Sequence, residues 1–303
     1  MPIQYIPYNK IDKQKWDGCI LHSGNGLIYA YSFYLDTMSA NWDALVLNDY
    51  EAVMPLTWKK KYGIHYLYQP FFTASLGVFG NAISPTLLND FLNAIPVKFK
   101  YWDIYLNHGN FFSIADFKLY ERMNYVLPLQ KDYEKLYSNF RDNTKRNIKK
   151  AEQLNCIVKK IIDVSAVIEL SKEQSKSFSP ATSNDYERFK KLYQLLHTQQ
   201  KAITYGIYTT ANQLAASCVF FFSHSRAYYI LVGNHPNGKT IGASHALINA
   251  FIKDHAGQNL LLDFEGSDIR NLAFFYSSFG AHEEKYVGLK VNRLPFWMKW
   301  LKK

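Results

Sequence analysis

Asp263 and Glu265 stand two positions apart in LLLDFEGS, residues 260–267, and Tyr276 follows in FFYSSFG. If Leu260 to Glu265 form a strand, Leu261, Asp263 and Glu265 share one face and Leu260, Leu262 and Phe264 the other, so both carboxylates project the same way, about 7 Å apart. Near the carboxyl end of a strand, where α/β sheets commonly place ligands, one of them can act as a general base toward an amine. In the competing reading both bond to backbone N–H groups of the following turn and helix start. Tyr276, on the next helix, reads as core.

A second group lies upstream. The strand YYILVG ends at Gly233 and leads through Asn234, Pro236, Asn237 and Gly238 into GKTIGASHALINAFIKDH, where Ala243, Ala246, Leu247, Ala250 and Phe251 have helical spacing. A glycine-rich loop thus feeds a helix start, whose unpaired N–H groups and positive dipole end can hold a pyrophosphate, with Lys239 and Ser244 beside it. Glycines at such a start also serve the turn alone.

A third group is cationic. FRDNTKRNIKKAEQLN, residues 140–155, holds Arg141, Lys145, Arg146, Lys149 and Lys150. From Phe140 to Lys160 seven Lys or Arg face two acids, half of the net charge of +10. Such a face suits a polyanion, or is simply solvated. Leu136 or Tyr137, Phe140, Thr144, Ile148, Ala151 and Leu154 give one apolar stripe, predicting a helix over 131–155 that stops at Asn155.

The elements that position these groups recur. Residues 44–57 read as strand, polar turn at Asn48 to Tyr50, and strand; residues 205–222 repeat this with the turn at Thr210 to Gln213. Each hairpin precedes a further strand (Ile64 to Tyr68; Arg226 to Val232), a helix (Pro85 to Asn93; Gly242 to His255) and another strand (Phe99 to Tyr105; Leu260 to Phe264). The expected fold class is therefore α/β (α+β), with two tandem domains, 1–130 and 131–303. A length of 303 residues agrees with two domains.

With these residues quoted, Gly242 to Ala281 resembles the end of a GNAT-type acyltransferase domain, in the tandem branch of Fem aminoacyltransferases and CelD-like acetyltransferases. LDFEGS resembles that branch's strand motif of aspartate, aromatic, any residue, glycine. KRNIKKAEQLNCIV resembles the segment opening its second domain, and FYSSFGA its penultimate helix, where a tyrosine precedes a glycine by four. The resemblance implies two GNAT-like domains, each a mixed, mostly antiparallel sheet flanked by helices. It also implies acyl-CoA as donor, with Lys239, Thr240, Gly242, Ala243 and Ser244 aligned on the pyrophosphate loop; Gly242 matches that pattern, Lys239 and Ser244 depart. Tyr276 takes the place of the tyrosine that protonates the departing thiolate. Asp263 takes the strand aspartate's place as base or positioning group, with Glu265 nearby. Fem-type relatives bind aminoacyl-tRNA instead, and there the cations Arg141 to Lys150 would hold phosphates.

The expected function is N-acyl transfer from acetyl-CoA or another acyl-CoA to an amine-bearing small molecule or cell-envelope precursor. Aminoacyl-tRNA-dependent transfer is the alternative, and a non-catalytic nucleic-acid or partner-binding protein the last. Direct attack by an amine needs alignment, proton removal and oxyanion stabilisation, so no metal is expected, and HExxH, GxSxG and Walker patterns are missing from the sequence. Three separated cysteines, Cys19, Cys156 and Cys218, read as small buried hydrophobes. With 48% apolar residues, no membrane-length run and no secretory leader pattern, the expected location is cytoplasmic. Most of the 17% aromatic residues are expected in the core. YQPFFTASLGVFG, residues 68–80, is a candidate lining for an acceptor cleft. The tail LPFWMKWLKK could meet an anionic membrane peripherally, with docking on the second domain the favoured reading.

Overall fold

The computed structural model describes residues 3–176, 179–266 and 268–296. In chain order the elements are β1 (Ile3–Ile6), α1 (Lys13–His22), α2 (Ser32–Met38), β2 (Trp42–Leu47), β3 (Ala52–Lys61), β4 (Ile64–Tyr68), β5 (Phe79–Gly80), α3 (Pro85–Asn93), β6 (Phe99–Leu106) and β7 (Leu119–Pro128). There follow α4 (Tyr133–Ser138), α5 (Asp142–Gln153), β8 (Ile157–Lys160), α6 (Val164–Ser175), α7 (Ser183–Thr198), β9 (Ala202–Tyr208), β10 (Leu214–Ser223) and β11 (Arg226–Asn234). The chain continues through α8 (Pro236–Thr240), α9 (Ala243–His255), β12 (Leu261–Asp263), α10 (Arg270–Ser277) and β13 (His282–Asn292). Two compact units form: Met1–Met123 with Lys285–Lys303, and Asn124–Glu284. Strands β7 and β13 each begin in one unit and end in the other.

In the first unit β1, β2, β3 and β4 pair successively antiparallel, β4 lies parallel to β6, and β6 antiparallel to β13. The β2–β3 turn closes on Asn48 and Tyr50, both in the left-handed region. Helix α3 starts where Ser84 accepts the Leu87 N–H at 3.1 Å and Pro85 fills the first turn. Its Leu88, Phe91 and Leu92, at helical spacing, pack against Trp102, Ile104, Val287 and Leu289.

The second unit runs the same sequence of pairings. Strands β8, β9, β10 and β11 are successively antiparallel, β11 lies parallel to β12, and β12 antiparallel to β7. Helix α9 buries Leu247, Ile248, Phe251 and Ile252, and Phe251 stacks on Phe220 of β10 at 3.7 Å between centroids. Helix α7 opens with a capping box between Thr182 and Asp185. The observed class is the expected one: mixed α/β, mostly antiparallel strands flanked by helices.

Several local expectations need correction. The basic segment 131–155 is two helices, because the chain turns extended at Arg141, whose N–H donates to the Ser278 carbonyl at 2.9 Å. Leu154 is 46% exposed and leaves the apolar stripe, while Asn155 ends the helix in the left-handed region as expected. The strand read from Leu260 to Glu265 is only Leu261–Asp263; Glu265 and Gly266 have φ of 62° and 86°, so alternation does not carry Glu265 onto the face of Asp263. The turn after Gly233 contains a short helix, α8. Cys218 is buried, but Cys19 and Cys156 are half-buried. The tail residues Trp297 to Lys303 lie outside the described residues.

Candidate active site

Asp263 ends β12 and is 4% exposed. One oxygen accepts from Asn124 Nδ2 and from the Glu265 N–H, both at 2.8 Å; the other accepts from Arg226 at 2.7 Å. Arg226, at the start of β11, also donates to both oxygens of Glu284 at 2.8 and 2.9 Å. Burial opposes the guanidinium's charge, but Asp263 and Glu284 outweigh it, and its pKa is raised. Both oxygens of Asp263 accept from protein donors. The carboxylate fixes the end of β12 and the turn after it, which is the backbone-bonding alternative read from the sequence. Arg226, Glu284 and Asn124 were not singled out there, because their positions lie far from Asp263 along the chain.

Tyr276 of α10 is 8% exposed and stacks on Phe264, with centroids 4.7 Å apart. Burial, then the charge of Glu265, pushes its pKa up, so the phenol stays protonated. His245, in the first turn of α9, packs edge-on against Phe275 at 4.8 Å and lies tilted against Phe279 at 5.9 Å. Burial pulls its pKa from the ordinary 6.5 to about 4. Sequence reasoning passed over it, since one histidine in an amphipathic helix carries no signal.

The start of α9 is occupied by protein. Gly242 sits in the left-handed region with φ 75°, and a Cβ there would lie 2.2 Å from the Asn147 carbonyl oxygen of α5. Gly242 and Ala243 are buried, Thr240 donates to the Asn237 carbonyl, and Ser244 donates to Asn234 Oδ1 at 2.5 Å. Lys239 is exposed.

Helix α5 is held at both neighbours. Its Thr144 hydroxyl donates to Ser278 Oγ at 2.6 Å beneath α10, and Asn147 meets Gly242 of α9. Arg141 lies over the Phe274 ring at 4.6 Å, and Lys145 donates to the Ser138 carbonyl at 2.9 Å, closing the end of α4. Arg146, Lys149 and Lys150 are exposed and make no ion pair among the described residues.

The first unit holds another cluster. On β6 the alternation of Tyr101, Asp103 and Tyr105 puts these three on the face opposite the buried Trp102 and Ile104. Register adds Tyr66 and Tyr68 from β4 beside Tyr101 and Asp103, and Lys290 and Gly288 from β13 beside Asp103 and Tyr105. The missing side chain of Gly288 is replaced by the ring of Tyr120, whose Cζ would be 2.3 Å from a Cβ. Arg122 stacks on Tyr105 at 4.1 Å. Asp103 Oδ2 is 3.7 Å from Lys290 Nζ, and its buried Oδ1 has no hydrogen bond among the described residues. Burial first, and the Asp103 charge after it, raises the pKa of Tyr101; for Tyr120 burial, then Tyr105 and Asp103, act likewise. The period-two pattern in YWDIY was the available signal for this face.

Among the described residues no group of three or more His, Cys, Asp or Glu side chains could hold a metal, and no helix is long and apolar enough to cross a membrane. Among solved structures the chain is similar to FemX, at 13% identity over 94% of this chain and 96% of that one, with a TM-score of 0.64. It is similar to a conserved protein of unknown function from Bacteroides thetaiotaomicron VPI-5482, at 12% identity, 95% and 99% coverage and a TM-score of 0.59. It also resembles L-PGS from Bacillus licheniformis, at 11% identity, 96% and 95% coverage and a TM-score of 0.54. At these identities the common property is the fold. No protein-family model and no curated protein matches the sequence.

Proposed function

We propose that the protein is a tandem GNAT-type transferase that moves an acyl group from a phosphate-bearing carrier to an amine. The observation that carries this reading is Asp103: a carboxylate with one buried oxygen unused, on a tyrosine-lined face, is a place where an amine finds an acceptor for its proton. The amine nitrogen attacks the carbonyl carbon and the C–N bond forms. The bond to the carrier breaks, the amine's proton passes to Asp103, and the carrier leaves with a proton. Solvent supplies that last proton; Tyr276, kept protonated by burial, packs on Phe264 within the second unit. Asp263 is a positioning residue, and Glu265 acts through its charge on Tyr276.

For the donor, the acyl-CoA reading needs the N–H groups around Gly242 and Ala243, and these residues are buried under α5. The exposed Arg146, Lys149 and Lys150, with Lys239, ask only for phosphates at the surface. That favours the aminoacyl-tRNA reading over acyl-CoA. The acceptor is an amine-bearing molecule, with cell-envelope precursors as the class to test first.

The test is thermal unfolding of the whole chain with CoA, acetyl-CoA, and charged or uncharged bulk tRNA, at two salt concentrations. A stabilisation by tRNA that weakens with salt is expected. Stabilisation by acetyl-CoA alone restores the acyl-CoA donor, and none by either overturns the proposal. Once a donor is found, Asp103→Asn should lower kcat by roughly 100-fold while leaving donor binding intact.

A further inference from the structure

We infer that the second unit carries a separate small-molecule site, at the C-terminal end of α9, for an uncharged planar heterocycle with N–H donors, the class of nucleobases and nucleosides. A cavity of about 540 Å³ opens there, within the ~300–1,000 Å³ typical of ligand pockets. Its apolar wall includes Phe222, Ile203 and Leu260, and its polar rim is His197, Gln200, His255 and Gln258. Among the described residues no Lys, Arg, Asp or Glu lines it. A phosphate or carboxylate would find no counter-charge, so the fitting ligand is neutral.

The rim carries an oriented hydrogen-bond acceptor. His197 Nδ1 is 3.2 Å from the Ala202 carbonyl oxygen, and His255 Nδ1 is 3.0 Å from Gln258 Oε1. The Ala202 carbonyl can only accept, so His197 Nδ1 carries a proton and, in the neutral ring, its Nε2 is left as an acceptor, while the Gln258 amide can meet His255 in either orientation. The rings are held in place: His197 is stacked on Tyr193 with 11° between planes, and His255 packs on Phe251 with centroids 4.3 Å apart. A fixed acceptor nitrogen beside an apolar wall suits a flat ligand that presents an N–H group at its edge.

The cavity's edge is also conformationally unusual. Ile161 and Gln200 both lie in the left-handed region, with φ of 56° and 58°. A β-branched residue takes that conformation only where its surroundings impose it, and here its N–H is tied to the Thr204 carbonyl at 2.9 Å. The Ile161 side chain, 66% exposed, stands at the opening.

Saturation-transfer NMR on the full chain with adenosine, guanosine and uridine, and with octanoate for comparison, tests this. At least one nucleoside should bind at millimolar concentration or below. His197→Phe and His255→Phe keep the ring packing and should each weaken it roughly tenfold. Ile203→Trp should fill the cavity and abolish it. Gln200→Ala, on the exposed rim, is the second variant should either histidine change prevent folding, and weaker binding is expected there too. No signal from any nucleoside, binding of octanoate alone, or unchanged binding in the histidine and Gln200 variants would each overturn the assignment. The readout is binding, so it stands or falls apart from the transfer reaction.

Discussion

A buried guanidinium between two carboxylates costs desolvation that only complete pairing repays. Arg226→Met therefore removes the guanidinium from between Asp263 and Glu284 and should destabilise the second unit by about 3–5 kcal/mol, measured by denaturant unfolding. Asp263→Asn, which keeps the shape and leaves Glu284 as partner, should cost less; equal losses would mean that the pairing is not what stabilises this end of β12. His245 sets a pH window. Its folded pKa of about 4 lies below the ordinary 6.5, so its contribution is intact above 6.5 and declines as pH falls to 4. His245→Phe should flatten that part of the Tm profile, where wild type loses about 2–3 kcal/mol. At this scale the sequence disclosed which residue types were present but not which were satisfied. Asp263 was visible in LDFEG, yet its fate depends on Arg226, Asn124 and Glu284, and no local pattern joins them. Asp103 lay in plain alternation in YWDIY, but which face of β6 is covered is decided by α3.

The helices and strands were the more legible level, because their signals are local. Ser84 and Pro85 announce α3, and the turn residues around Asn48 and Asn212 announce the two hairpins. The break between α4 and α5 was hidden, because Arg141 leaves the helix for a carbonyl at Ser278, in another element. Helix α5 then works as a clasp on α9 and α10, with Gly242 at its tightest point. Gly242→Ala should cost at least ~3 kcal/mol, since it adds a clash with the Asn147 carbonyl to the strain of a positive φ. Gly257→Ala, with φ 81° and open space around it, should cost only about 1 kcal/mol. Similar losses by calorimetry at the two glycines would remove the close approach of α5 from the account.

The charge of +10 and the path of the chain belong to the whole molecule. If Arg146, Lys149 and Lys150 meet a polyanion, replacing all three by Gln should lower the slope of log affinity against log salt by about 2–3. An unchanged slope would return them to solvent. The chain path bears on how the fold is reached. Val287 and Leu289 of β13 are 4% and 1% exposed in the core of the first unit, though they are encoded after the whole of the second. On a ribosome adding about 5–20 residues per second, the first unit is thus exposed beside β6 for roughly ten seconds or more, while the second, continuous in sequence, emerges entire. The usual order of folding is reversed: the later half can close first, and the earlier half stays open until its last strand arrives.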